Sequence, residues 1–104
     1  MAWLVLSISG LLETVWAVAL GESKGLSRPV PSAVFGVALL LSMAGLAYSL
    51  KTIPIGTGYA VWVGIGAVGT ALYGIVALEE SASLVRILCL VLIVAGVVGL
   101  KVLH

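Results

Sequence analysis

One carboxylate stands where carboxylates are rare. Glu13 lies near the middle of an apolar run from Ala2 to Leu20, where an ionised side chain is costly unless a cavity, a partner or a proton relieves it. No Lys, Arg or His lies in the interior of any of the chain's four long apolar runs, so no internal counter-ion is on offer. What remains is a bound proton or a bound foreign cation. Burial disfavours the ionised form of any carboxyl, so one group can hold a proton and, after releasing it, a cation. That is the chemistry of an exchanger, and intramembrane acids often mark ion pathways. The plainer alternative is a permanently protonated, hydrogen-bonded structural Glu.

The neighbours of Glu13 favour the first reading. At 100° per residue, Ser9, Gly10, Glu13, Trp16 and Ala17 share one helical face, which sets an indole and small residues around the acid. The same spacing aligns Phe35, Ala38, Ser42, Gly45 and Ser49 in the second run, and Tyr59, Trp62, Gly66, Gly69 and Tyr73 in the third. Together these faces can line a cavity holding an acid, two indoles, a phenol and a serine. Such a cavity suits a cation: aromatic rings attract positive charge, and Trp N–H and Tyr O–H can hold a carboxylate. Each piece has a packing alternative. Aromatic stripes commonly pack, small hydroxylated residues are common where membrane helices touch, and Trp3 reads as an interface anchor.

The elements that position these residues follow from composition. The 104 residues are 62% hydrophobic and 9% charged, against about a quarter charged in an ordinary soluble domain. Crossing about 30 Å of hydrocarbon takes about 20 helical residues, so the expected fold is an all-α membrane protein, a single domain over residues 1–104 with four transmembrane helices. These are expected at about 2–20, 30–50, 54–78 and 84–101. The first ends at the polar turn Gly21-Glu22-Ser23-Lys24-Gly25 and is expected to stay in the mature protein, since no basic leader precedes it. Arg28-Pro29-Val30-Pro31 opens the second. The third, after Pro54, is glycine-rich and long enough to tilt or bend. Glu79-Glu80-Ser81 precedes the fourth.

Short loops make neighbouring helices antiparallel and put both termini on one side. The cations on that side are Lys51 and Lys101; on the other they are Lys24, Arg28 and Arg86. Two against three barely selects an orientation by the positive-inside rule. The choice is between a small protein oriented by one residue and a chain that inserts both ways. Four helices are thin walls for a pathway, so a homo-oligomer is expected, with Ala95, Gly96 and Gly99 as a contact surface on the last helix. Two Glu13 copies meeting near the axis of such an oligomer would titrate as a pair.

The runs Gly10-Leu11-Leu12-Glu13-Thr14-Val15-Trp16-Ala17, Pro31-Ser32, Pro54-Ile55-Gly56-Thr57-Gly58-Tyr59-Ala60-Val61-Trp62-Val63-Gly64-Ile65-Gly66 and Leu92-Ile93-Val94-Ala95-Gly96-Val97 resemble the small multidrug resistance family over essentially the whole chain. Trp16 and Ser42 look like its guanidinium-exporter branch. The resemblance implies an antiparallel, dual-topology homodimer in the inner (plasma) membrane, held through the fourth helix around Gly96. It implies exchange of protons for guanidinium-type cations at paired Glu13 carboxylates, with Trp16, Ser42, Tyr59 and Trp62 lining the site and Gly10 leaving space. It also implies that Gly64 and Gly66 let helix three bend. Two positions depart from the family pattern, Gly21-Glu22 where a Lys is usual and Gly58 where an Ala is usual. Neither touches the inferred carboxylate.

Other classes fit less well. A net charge of +1 gives no field for nucleic acid. No nucleophile, base and orienting group cluster as an enzyme requires, no cofactor is implied, and His104 reads as a solvated terminus. Cys89, alone in an apolar run, reads as a small hydrophobe. The alternatives to guanidinium export are a broader exporter of quaternary ammonium cations, with Phe35, Leu39 and Met43 as apolar lining, and a non-transporting membrane assembly subunit. Glu79 and Glu80 read as a solvated loop that can also draw cations to an entrance.

Overall fold

The computed structural model describes residues 1–103; His104 lies outside the described residues. Four α-helices make up the fold: α1 (Ala2–Glu22), α2 (Pro29–Ser49), α3 (Ile55–Ala77) and α4 (Leu84–Leu103). All four are long and apolar enough to cross a membrane. Their ends follow local chemistry. Pro29 opens α2 at a position whose missing N–H costs nothing, and Pro54 caps α3. α1 runs to Glu22, two residues beyond the expected end, because the turn is made further on. There the Ser23 hydroxyl donates to the Leu20 carbonyl at 2.7 Å and accepts from the Leu26 N–H at 3.0 Å. The chain then passes through left-handed conformations at Lys24, Gly25 and Leu26, with φ of 50°, 75° and 67°, of which only the glycine adopts its φ without steric cost.

α1 is the central helix, packed between α2 and α3; α2 and α3 meet only briefly, and α4 packs mainly on α3, reaching α1 where the Lys101 ammonium lies 5.7 Å from the centre of the Trp3 ring. The result is a slab of 40 × 35 × 17 Å, less than two helix diameters thick. Its core gathers Leu6, Leu46, Ile53, Val61 and Trp62. Close approach is bought by small residues. Ser42 and Ser49 of α2 donate to the α1 carbonyls of Ser9 (2.7 Å) and Ala2 (3.2 Å), and a side chain on Gly45 would collide with Ser9. The serine and glycine face expected on α2 is thus the face that packs on α1. On α3, Gly64 admits Val97 of α4. No residue of α4 is buried.

Candidate functional site

Glu13 lies on the flank of α1 that meets α3. Its carboxyl rests on Gly66, where any added Cβ would collide with Oε1. That oxygen is buried and has no hydrogen-bond partner among the described residues, and the same is true of the Trp16 Nε1–H one turn further along α1. The Trp16 ring meets Phe35 of α2 edge-on, with centroids 5.9 Å apart and planes at 73°. Glu13 and Trp16 both line a cavity of about 570 Å³, which continues past Ala17, Ala67, Thr70 and Tyr73 to a mouth at Glu22, Glu80 and Arg86.

At the mouth, Arg86 Nη2 donates to Glu80 Oε1 at 2.8 Å, and Arg86 Nη1 donates to the Ser81 carbonyl at 3.0 Å. Both side chains of the pair are partly exposed, so it adds little stability. It does occupy the guanidinium that lines the cavity, which leaves Glu13 without a cationic partner among the described residues. Glu80, read from the sequence as part of a solvated loop, therefore stands at an entrance.

The other residues anticipated for the site form a second group. The buried Ser42 hydroxyl donates to the Ser9 carbonyl and accepts the Trp62 Nε1–H at 3.1 Å, so one serine joins α1, α2 and α3. Tyr59 is exposed, and its ring lies 5.8 Å from that of Trp62 at 37°. At Gly10 a Cβ would stand 2.8 Å from Ile65; its small size serves the crossing of α1 and α3. Ser42, Tyr59, Trp62 and Gly10 do not line the Glu13 cavity within one chain. Of the expected apolar lining, Phe35 is half-buried against Trp16, while Met43 is half exposed.

Two residues that sequence reasoning passed over stand beside the acid. The Thr14 and Thr70 hydroxyls both donate to the Gly66 carbonyl, at 3.2 and 2.7 Å. The spacing of Gly66 and Thr70, one α-turn apart, carried that signal for Thr70; nothing in the sequence marked Thr14. Among the described residues no cluster of three metal-ligating side chains occurs.

The profile of the Small Multidrug Resistance protein family matches residues 1–93. Among curated proteins, the chain is 59% identical over 101 residues to a guanidinium exporter of Yersinia pseudotuberculosis, covering 97% of each chain. It is 55% identical to a guanidinium exporter of Salmonella typhimurium and 54% identical to one of Escherichia coli, in each case over 97% of this chain and 96% of the relative. Four apolar helices, an intramembrane acid facing a cavity, and a family match over nine-tenths of the length agree: this chain belongs to the small multidrug resistance family.

Proposed function

We propose that the protein exports guanidinium or a related small guanidinyl cation in exchange for protons, with both competing for Glu13. The observation that carries this reading is the Glu13 carboxyl, which lines the cavity while its Oε1 is buried against Gly66, and which no side chain among the described residues neutralises. A buried polar atom without a partner is costly, and a proton or a cation removes that cost. Guanidinium fits because it is planar, weakly hydrated and presents parallel N–H donors to a carboxylate fork. Trp16 Nε1–H, also unpartnered, is a donor and so suits the carboxylate rather than the cation. The names of the relatives, all guanidinium exporters, support the same substrate.

The working unit we infer is an antiparallel homodimer in the inner membrane, with α4 as the contact and the two Glu13 carboxylates sharing one site. Support comes from α4 itself: Ala95 and Gly96 are exposed on the single chain, and nothing lies within 4 Å of a Cβ built on Gly96. In such a pair the exposed Tyr59 is available to complete the lining, with Trp62 and the buried Ser42 packed behind it. One feature favours a broader substrate range: an apolar hollow lined by Val15, Val30 and Val34 shares Val18 and Tyr73 with the Glu13 cavity, a place for the alkyl tail of a quaternary ammonium ion.

The test is guanidinium-driven proton movement in liposomes containing this protein alone, native against Glu13→Gln, with a quaternary ammonium ion in parallel. Proton movement with guanidinium that is lost in the variant is the expected result. A response to the quaternary ammonium ion alone moves the protein to the broader reading. Silence toward both rejects transport and favours an assembly role.

A further inference from the structure

Glu13 and Thr14 are neighbours on α1, and each is seated on a glycine of α3. A Cβ on Gly66 would collide with the Glu13 carboxyl, and a Cβ on Gly69 would collide with the Thr14 hydroxyl. Three residues apart, the two glycines lie on one face, so α3 presents consecutive notches to consecutive side chains. Between them stands the Gly66 carbonyl, which accepts from Thr14 Oγ1 at 3.2 Å and from Thr70 Oγ1 at 2.7 Å. The helical ladder adds the backbone N–H of residue 70. A carbonyl has two lone pairs, and Thr70 alone supplies two donors. The Thr14 hydroxyl is therefore not required to satisfy that backbone group. What it adds is a link between α1 and α3 at the level of the acid.

We propose that Thr14 is a positioning residue for the Glu13 site: its hydroxyl, bonded to the Gly66 carbonyl, fixes the approach of α1 to α3 and so holds the carboxyl in the Gly66 notch, facing the cavity. The inference deepens the exchange reading of Glu13 and rests on it. The Thr14 side chain touches neither proton nor cation. It acts through the placement of the carboxylate that does.

Thr14→Val exchanges the hydroxyl for a methyl of the same shape and leaves the Gly66 carbonyl satisfied. In proteoliposomes its apparent KM for guanidinium is expected to rise about 2- to 10-fold, the scale of one hydrogen bond, at little-changed turnover. Thr14→Ser, which keeps the hydroxyl, should stay within about twofold of native on the same scale. A readout independent of transport is the titration of the Glu13 carboxyl carbon by NMR in carbon-13-labelled protein. The midpoint should be displaced in Thr14→Val and native-like in Thr14→Ser. Gly69→Ala pushes the hydroxyl from the opposite side and should displace it too; that variant decides alone should Thr14→Val fail to fold. A native KM and native midpoint in Thr14→Val, or equal effects of the Val and Ser changes, overturn the proposal. If the native protein moves no protons with guanidinium, the exchange reading fails, while the carboxyl titration still decides whether Thr14 positions Glu13.

Discussion

An acceptor and a donor one turn apart on α1, both buried and both without partners among the described residues, are an expensive arrangement at about 1–3 kcal/mol for each group. Glu13→Gln keeps the shape of the acid and removes its charge. Its resistance to unfolding in a detergent titration is therefore expected to equal or exceed that of the native protein while exchange is abolished; a parallel loss of both would mean that Glu13 is structural. The proposed competition also sets the sign of the pH dependence. If proton and cation share Glu13, protons occupy the carboxylate as pH falls and guanidinium binding weakens. Below the titration range Kd should rise about tenfold per pH unit if one proton is displaced, and up to about a hundredfold if a coupled pair loses two. Tryptophan fluorescence reports the binding, and an affinity flat from acid to alkaline pH would reject competition. Ser42 answers a different question. Because its hydroxyl accepts the buried Trp62 N–H and donates to Ser9, Ser42→Ala orphans a donor and should lower stability by about 1–3 kcal/mol in the same unfolding assay.

At the scale of the helix, packing in this chain is set by where side chains are missing. Gly45 of α2 faces Ser9 across the α1 contact, whereas nothing lies within 4 Å of a Cβ built on Gly36, earlier on the same helix. Gly45→Ala should destabilise by about 1–3 kcal/mol through overpacking. Gly36→Ala should be neutral, or stabilise by up to about 1 kcal/mol through helix propensity. Equal effects of the two on the unfolding midpoint would reject the α1–α2 contact described above. The helices were legible in the sequence because apolar runs bounded by prolines, glycines and charges have few other readings. The face carrying Glu13 and Trp16 was legible because 100° arithmetic needs no knowledge of neighbours. What a face turns toward was not legible. Ser42, Gly45 and Ser49 share a small, hydroxylated stripe whether it lines a cavity or packs on a helix, and within one chain it packs on α1. Thr14 escaped because a lone hydroxyl in an apolar run acquires meaning only once Gly66 and Gly69 of another helix stand opposite it.

For the whole molecule, the slab shape is the main constraint. With a radius of gyration of 14.4 Å, against about 13 Å for a compact domain of this length, and with no buried residue on α4, one chain cannot enclose a pathway. The antiparallel partner proposed above requires a chain without a fixed topology. The cations allow it, with two on the side of the termini and three on the other; Glu22, Glu79 and Glu80 all lie on the latter side, but acidic residues count for little in orientation. Reporters fused to the C-terminus should then show both cytoplasmic and external populations for the native chain. Lys51→Gln leaves one cation against three and is expected to drive the C-terminus outside, whereas Lys24→Gln with Arg28→Gln leaves two against one and should hold it inside. Each biased chain expressed alone should lose most guanidinium resistance in cells, since it lacks an opposed partner, and co-expression of the two should restore it. A native chain found in a single orientation, or a biased chain fully active by itself, would reject the antiparallel pair and require a parallel assembly to close the site.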